Sequence, residues 1–424
     1  MSTKGAQFSR GNVGANVISS DDSTSALVMH GVAIANQVAL NEVKTLYQLK
    51  DAENLGLDKA YDTTNAIRVW YHIKEFYRRA GSGTKLFIML VDNTLTANAS
   101  TVTMEDMVDK EQNYLKELLI QAKGEVKQCA VAISPAAGYV STILDGLDAD
   151  CRNAILKAKG LVDWSWETNR PMVVLLEGRE FSGTIAAAQD LRDIENLNAE
   201  GVGVVIAQDY DYAETLDDLG KKHASVGTAL GVMASIGVAR NIGEVETQNL
   251  ADVSTSTFLT PALSSHQRTI NLTDVLETLD GKGYIFAFSY TDYDGTYFNG
   301  DHACTEVIED SEGNFNNYAL AYSRVVGKVS RSLRNLMLPK VKKTKKINRS
   351  TGKLDAGTIA SFNAIGDDLF LRMERNEEIS GGKTYTNKDS NLLIAPRVLE
   401  VDFAVVPLGT IDSIKASINI KKRL

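Results

Sequence analysis

The residues best suited to chemistry lie together in one polar stretch, "DGTYFNGDHACTE". Asp301, His302 and Cys304 stand within four positions of one another. An acid, an imidazole and a thiol could share a metal ion or move a proton, but either use needs further ligands or a second catalytic group. The five histidines are scattered, and none has the spacing of a metal motif. We therefore expect a polar loop here, and no catalytic or metal site.

A second stretch resembles a fragment of a phosphate-binding loop. The sequence "GSGTK" spans Gly81 to Lys85, but a phosphate loop carries Gly-Lys-Ser/Thr and lies between a strand and the helix that follows it. Here an amphipathic helix precedes the glycines and an apolar strand, "KLFIMLV", follows them. The order is reversed, so we expect no cofactor site at this position.

The charge distribution favours a partner surface over a catalytic one. Residues 319–353 contain 11 Lys or Arg and no Asp or Glu, although the whole chain carries a net charge of -9. Removing these 11 charges leaves -20 for the rest. Such a segment indicates a surface that meets an acidic partner, which is either a protein or a nucleic acid.

The basic segment begins with a predicted amphipathic helix. Its apolar positions recur at helical spacing and are Val326, Val329, Leu333, Leu336 and Met337. Its cations occupy other positions and are Arg324, Lys328, Arg331 and Arg334. The pattern predicts one packed face and one cationic face.

Helix and strand patterns alternate through the first part of the chain. Short, wholly apolar runs such as "LFIMLV", "CAVAI", "MVVLL" and "GVVIA" follow amphipathic segments, which include predicted helices near residues 104–122, 141–159 and 185–197. Strands that are apolar on both faces, separated by helices, predict an α/β domain with a mostly parallel sheet.

The pattern changes near the Ser- and Thr-rich stretch "STSTFLTPAL". Beyond it we predict an α+β region that contains the basic helix, a Lys-rich strand or hairpin, a helix near residues 357–375 and two alternating strands. This divides the chain into an N-terminal arm (1–22), an outer α/β domain (23–258), a C-terminal inner domain (259–410) and a C-terminal strand arm (411–424).

Both ends of the sequence read as arms that become ordered against another surface. The first twenty residues are rich in Gly, Ser and Asn, with isolated apolar residues that include Phe8, Val13 and Val17. Near the other end, alternation places four apolar residues on one face: Ile414, Ala416, Ile418 and Ile420. That alternation predicts a half-buried strand, and its partner must be identified.

Composition limits the class of protein. The apolar fraction of 44% and charged fraction of 23% are those of an ordinary globular protein. No signal peptide or apolar run long enough for a membrane span is present, and three unpaired cysteines suggest a reducing compartment. We expect neither export by a signal peptide nor membrane insertion.

Several of these stretches, taken in order, resemble the contractile tail sheath proteins of phages and phage-tail-like injection systems. They are "NAIRVWYHIKEFYRRAGSGTKLFIMLV", "DGTYFNGDHACTE", "YALAYSRVVGKVSRSLRNLMLPKV", "RSTGKL", "EEISGG" and the last two strands. The resemblance covers the flanks and the final third well, and the middle only through its alternating pattern.

The resemblance implies a mechanical function. Subunits of this family polymerise around an inner tube as stacked, hexameric rings, and contract to drive the tube through a target cell envelope. The arms would add strands to the sheets of neighbouring subunits, and the four cations of the basic helix would face an acidic tube. Baseplate and terminator proteins would bind at the ends. Assembly would occur in the bacterial cytoplasm, giving a virion tail or a phage-tail-like particle without a cofactor.

Two alternatives belong to other classes. A parallel α/β sheet is the usual framework of nucleotide-binding enzymes, although the glycine-rich turns that such enzymes need after their strands are missing here. A nucleic-acid-binding protein could use residues 319–353, and salt-dependent binding to DNA or RNA would favour it.

Overall fold

The structure is a computed structural model of the 424-residue chain, and it describes residues 22–96, 99–182, 184–194 and 197–417. Phe8, Val13, Val17, Ile418 and Ile420 lie outside these ranges.

Seventeen strands are present in the described residues. In chain order they are β1 (Ser25–Gly31), β2 (Val43–Leu46), β3 (Leu86–Asp92), β4 (Leu95–Thr96), β5 (Ala99–Ser100), β6 (Gln128–Ala132), β7 (Ile143–Leu144), β8 (Leu147–Asp148), β9 (Val173–Glu177), β10 (Val202–Val205), β11 (Ala207–Asp209), β12 (Pro261–Leu263), β13 (Tyr284–Ile285), β14 (Ala287–Phe288), β15 (Tyr297–Phe298), β16 (Gly381–Thr386) and β17 (Val401–Val406).

Eleven α-helices accompany them in the same part of the chain. They are α1 (Leu49–Asn54), α2 (Lys59–Asn65), α3 (Val69–Ala80), α4 (Met104–Val108), α5 (Leu115–Gln121), α6 (Ala149–Glu167), α7 (Tyr210–Ala213), α8 (Val226–Ser235), α9 (Leu276–Gly281), α10 (Leu320–Met337) and α11 (Ala356–Arg375). Short 3₁₀ turns occur at Ile185–Ala187, Gly220–Lys222, Thr269–Leu272 and Leu338–Lys340.

Seven strands form the main sheet, in the order β13-β10-β9-β6-β1-β3-β2. Every neighbouring pair is parallel except β2 with β3. Strand β1 lies near the middle, with Ser25 opposite both Leu86 and Gln128. The prediction of a mostly parallel sheet is confirmed.

The sheet is covered on both faces, which explains its continuous apolar strands. All seven residues of β1 and all five of β9 are buried. One face packs on α4, α5 and α6, and the other packs on α3 and α8. Helices on both faces remove the residues of these two inner strands from water, so the strands need no polar side.

Three predicted helices differ from the structure. The segment 104–122 forms two helices, α4 and α5, because residues 109–114 turn between them. Residues 143–148 form the β7–β8 hairpin before α6 begins. The segment 185–197 contains only a 3₁₀ turn in its described part. Amphipathic spacing alone did not reveal these breaks.

The α/β body continues past residue 258, where the predicted outer domain stops. Strand β13 is the edge of the main sheet and pairs with β10 through Val204 opposite Tyr284. The two buried cores on either side of the sheet also continue to Cys304 and Leu320. The sheet-bearing part of the molecule therefore extends to the start of α10.

The C-terminal unit consists of α10, α11 and the antiparallel hairpin β16–β17. A separate core of residues such as Val329, Phe370 and Ile379 holds these elements together. Helix α11 approaches the hairpin closely at Gly366, where an added Cβ would lie 2.1 Å from Thr384 Oγ1. The predicted helix near 357–375 is confirmed by α11.

Among the described residues, no helix combines the length and the apolar character needed to cross a membrane.

Candidate assembly surfaces

Strand β17 presents a free edge. It pairs with β16 on one side, and within the described chain no strand pairs with its other side. Backbone groups alternate in direction along an antiparallel strand. Asn387 N donates to Glu400 O at 2.9 Å in this register, so the backbone groups of Val401, Phe403 and Val405 point away from β16. They form the row of donors and acceptors that another strand would meet.

The opposite edge of the hairpin is capped by α11. Thr384 N donates to Asp367 Oδ1 at 2.9 Å, and Thr386 N donates to Asn363 Oδ1 at 3.0 Å. These side chains occupy outward N–H groups of β16 and so compete with an incoming strand. The hairpin therefore has one capped edge and one open edge.

The C-terminal tail leaves its apolar side chains in water. Residues 411–417 form no helix or strand, and Ile411 and Ile414 are 77% and 83% exposed. Ala416 is also exposed. The predicted strand is thus not paired within its own chain over its described residues, and its pairing with a neighbour stays a prediction. The N-terminal arm residues Phe8, Val13 and Val17 lie outside the described chain.

Helix α10 is fixed to the α/β body by Arg324. This side chain is 5% exposed and donates to the carbonyl oxygens of Met233 at 2.8 Å and Ile236 at 3.2 Å. Both carbonyls belong to the C-terminal end of α8, where unpaired oxygens and the helix dipole favour a cation. Burial lowers the pKa of Arg324 to about 10, so it stays charged at neutral pH.

Two further cations of α10 are also used inside the chain. Lys328 Nζ lies 2.6 Å from Asp22 and 2.6 Å from Glu378. Arg331 donates to the Pro171 carbonyl oxygen at 2.9 Å and pairs with Asp22 at 3.3 Å. The predicted cationic face is therefore corrected for Arg324, Lys328 and Arg331, because intramolecular acceptors surround them.

The free positive charge lies at the end of α10 and beyond it. Arg334 is exposed. Most cations of the following loop are exposed as well, and these are Lys342, Lys343, Lys346, Arg349 and Lys353. Lys353 pairs with Asp389 at 2.5 Å, and both side chains are about half exposed. The apolar face of α10 differs from the sequence prediction by one residue. Val325 is buried, whereas Val326, which was predicted to be apolar and packed, is 37% exposed.

The polar stretch around His302 has structural partners. Asp301 Oδ2 accepts from Ala321 N at 2.7 Å and so supports the start of α10. His302 lies between Asp280 and Arg192, at 2.7 and 2.5 Å. Cys304 is buried in the core. Among the described residues, no group of three or more potential ligands is placed to hold a metal ion.

The carboxyl edge of the main sheet, where an α/β enzyme would bind a nucleotide, is filled by buried polar groups. Glu177 accepts from Ile133 N at 2.7 Å and from Ala224 N at 2.9 Å. Arg68 donates to Ile133 O at 3.0 Å. Both charged side chains are at most 3% exposed. These contacts close the edge around Glu177, so the enzyme alternative gains no support from it.

The search of solved structures found chains with the same fold over nearly the whole length. A chain of the anti-feeding prophage baseplate, 6-fold symmetrised, has a TM-score of 0.60 at 10% identity, with 99% of each chain covered. A chain of the contracted anti-feeding prophage helical sheath has a TM-score of 0.59 at 12% identity, also with 99% of each covered.

A third structure is the contracted PVC sheath complex of an extracellular contractile injection system. Its chain has a TM-score of 0.57 at 13% identity, covering 100% of this chain and 98% of that one. At such identities the likeness establishes the fold, which is that of contractile sheath proteins. No curated protein matches the sequence.

Two family models match consecutive parts of the sequence. The DUF2586 N-terminal domain matches residues 7–302, and the DUF2586 C-terminal domain matches residues 319–424. The gap between them lies just before α10, where the α/β body ends. The chain therefore belongs to the DUF2586 family.

Proposed function

We propose that this chain is the structural subunit of a contractile sheath. It polymerises around an inner tube as stacked, hexameric rings and contracts to drive the tube through a target cell envelope. The work is mechanical, and its energy comes from contacts between subunits that are better in the contracted packing. The shared fold with chains of two contracted sheaths supports this proposal.

The proposal rests on two features that occur in the same chain. One is a strand edge without a partner strand, and the other is a tail with exposed apolar side chains. The outer edge of β17 has no partner strand in the described chain, while Ile411 and Ile414 are exposed only a few residues further on. Each subunit thus offers one strand acceptor and one strand donor. A chain with both can link into an open-ended array.

In the assembly, the tail of one subunit adds to β17 of a neighbour. Main-chain hydrogen bonds provide affinity, and alternate side chains are buried against the acceptor. Burying Ile414, Ile418 and Ile420 contributes about 2 kcal/mol each. The N-terminal arm, with Phe8, Val13 and Val17, makes a second link of the same kind.

The tube-facing surface consists of Arg334 and the loop cations that follow it. These side chains extend into water, whereas the three preceding cations of α10 are held inside the chain. Individual exposed ion pairs are weak and screened by salt, but they repeat at every subunit. An acidic tube surface is therefore the partner that fits this loop.

Proteins at the ends of the sheath complete the particle. The similarity to a chain of a baseplate structure supports contact with a baseplate, and a terminator protein would cover the other end. Assembly takes place in the bacterial cytoplasm, and the product is a virion tail or a phage-tail-like particle.

Negative-stain electron microscopy tests the function. The full chain and a chain truncated after Thr410 are purified and compared at the same concentration. Hollow tubes or stacked rings from the full chain, lost on truncation, are expected. Compact particles from both would overturn the proposal.

A point variant tests the acceptor edge separately. Val401→Pro removes an outward N–H that the β16–β17 ladder does not use, so the subunit should fold with unchanged circular dichroism but form no tubes. Asp402→Pro is the matched comparison, because its N–H points into the ladder and its loss should unfold the hairpin. Normal tubes from Val401→Pro would exclude this edge.

A further inference from the structure

A cleft of about 520 Å³ lies where the α/β body meets the start of α10, and the C-terminal tail forms one of its walls. We call it the tail cleft. The body contributes Asp280 and His302, α10 and its approach contribute Tyr318 and Tyr322, and the tail contributes Asp412. The tail thus runs past this cleft before it reaches the residues proposed to pair with a neighbour.

The tail cleft is acidic. Among the described residues, its lining contains four carboxylates, those of Glu277, Asp280, Asp301 and Asp412, and one guanidinium, that of Arg192. Arg192 Nη2 lies 2.5 Å from His302 Nδ1. Since an arginine only donates, this nitrogen is the acceptor and His302 Nε2 donates to Asp280 at 2.7 Å. Among the four carboxylates and the one guanidinium, the negative charges exceed the positive one by three.

The walls of the tail cleft are also aromatic. Tyr318 and Tyr322 meet edge to face with ring centroids 5.2 Å apart, and Phe288 and Tyr290 do so at 4.6 Å. Carboxylates beside aromatic rings form a site that suits cationic side chains with aliphatic stems, which can pair with acids and lie over rings.

The sequence of the tail supplies such a segment. Residues 418–424, outside the described chain, contain Lys421, Lys422 and Arg423 and no acidic side chain. Lys421 lies nine positions after Asp412, and nine extended residues span about 30 Å. The basic segment can therefore return to a cleft whose wall already includes Asp412.

We propose that in the unassembled subunit the basic segment 421–423 docks into the tail cleft of its own chain. The inference rests on the proposed function, because it describes where the tail lies before a neighbouring subunit binds it. While docked, the tail cannot extend along β17 of another subunit. Docking thus delays polymerisation until the end of a growing sheath binds the tail in place of the cleft.

Cysteine crosslinking in the monomer tests the docking. The three native cysteines are buried, so thiols introduced by Val307→Cys and Leu424→Cys are the reactive pair. Val307 lines the cleft and is 59% exposed. Gln121→Cys with Leu424→Cys is the matched control, because α5 packs near β3, toward the other end of the main sheet from β13.

With a short bismaleimide at low protein concentration, the cleft pair should crosslink within one chain at least tenfold faster than the control pair. Changing Lys421, Lys422 and Arg423 to Glu in the same background should abolish the difference. Equal rates for the two pairs, or crosslinks only between chains, would overturn the docking. This readout needs no tubes, so it is independent of the sheath function.

Assembly kinetics test the delay. Glu277→Lys alters the cleft and leaves both the tail and β17 intact, so it should shorten the lag before tubes scatter light by severalfold. If the variant forms tubes with an unchanged lag, the proposal that docking delays polymerisation is wrong. If the parent chain forms no tubes, the sheath proposal fails while the crosslinking result still decides the docking.

Discussion

Lys328 Nζ lies 2.6 Å from the carboxylate of Asp22, across 306 positions of sequence. Asp22 is the first described residue, three positions before β1 begins. On its other side Lys328 pairs with Glu378 at 2.6 Å. One amine thus joins the root of the predicted N-terminal arm, α10 and the turn before β16. A force applied to the arm would pass directly into the C-terminal unit.

We expect Lys328→Met to lower the free energy of unfolding by about 2 kcal/mol, because Glu378 would lose its cation and Asp22 would keep only Arg331, although each carboxylate is 17% exposed. Burial opposes the charge, yet the bonds to Asp22 and Glu378 raise the pKa of Lys328. Urea unfolding at neutral pH measures the change. Lys342→Met, in the exposed loop, is the control and should stay within about 0.5 kcal/mol of the parent.

Arg324 and Arg334 belong to one helix but have opposite environments, which gives a matched pair. Arg324→Lys cannot reach both α8 carbonyls in the same geometry and should cost about 1–3 kcal/mol. Arg334→Lys should be neutral for folding. Thermal or urea unfolding of both variants makes the comparison. Equal stability of the two would contradict the anchoring of α10 through Arg324.

The same pair separates folding from tube binding. Arg334→Glu should leave unfolding unchanged and weaken co-sedimentation of the sheath with tubes, more strongly at low salt than at high salt. If binding to tubes is unaffected in Arg334→Glu combined with Lys342→Glu, the loop meets other subunits instead.

Sequence patterning predicted the sheet because most of its strands are short runs of buried residues. In a globular chain, a short continuous apolar run is typical of a buried strand. Patterning also predicted α11 because apolar residues that include Phe362, Leu369 and Met373 recur at helical spacing. Strand β1 was missed, although "ALVM" is apolar, because the polar arm before it dominates its surroundings. The strand β13 lies beyond a Ser- and Thr-rich stretch that looked like a domain boundary.

The roles of the α10 cations could not be predicted from the sequence. Sequence analysis places a Lys or Arg of an amphipathic helix on the solvent face. Nothing in residues 324–331 indicates which backbone carbonyl groups accept hydrogen bonds from these cations. Arg324 is held by oxygens 88 and 91 positions away, and Arg331 by one 160 positions away. Contacts of this kind depend on the tertiary fold. For the tail, the alternation of its isoleucines predicted a half-buried strand, and the pairing of that strand with a neighbouring subunit stays a prediction.

His30, at the centre of the main sheet, should make the subunit sensitive to acid. Its Nε2 bonds to Val102 O at 2.7 Å and its Nδ1 accepts from Ser134 N at 3.1 Å, so the ring is neutral. Burial lowers the pKa of His30 to about 4. Because the folded value lies below the unfolded value of 6.5, its contribution is complete above pH 6.5 and is lost as the pH falls toward 4.

His30→Gln should therefore reduce the fall in the free energy of unfolding as the pH is lowered from 7 to 4.5. Unfolding free energies of parent and variant, measured from pH 8 to pH 4.5, should differ by a constant amount above pH 7. Below that, the difference should shift by about 2–3 kcal/mol in favour of the variant. Buried His72 and His223 act in the same direction in both proteins, so only the difference is informative. Parallel curves down to pH 4.5 would contradict a neutral, buried His30.

The hairpin that carries the acceptor edge depends on a glycine. A Cβ on Gly366 would lie 2.1 Å from Thr384 Oγ1 and 3.1 Å from Thr384 Cβ, and Thr384 is 1% exposed. Gly366→Ala should therefore push α11 away from β16 and destabilise the unit by about 1–3 kcal/mol, despite the better helix propensity of alanine.

Removing the obstructing atom should reverse the effect. Thr384→Ala deletes Oγ1, so the double variant Gly366→Ala/Thr384→Ala should regain most of the lost stability, giving a coupling energy above 1 kcal/mol in the double-mutant cycle. The single variant should also assemble poorly, because a displaced hairpin changes the position of β17. If Gly366→Ala were as stable as the parent and the cycle showed no coupling, the close approach of α11 to β16 would not constrain the acceptor edge.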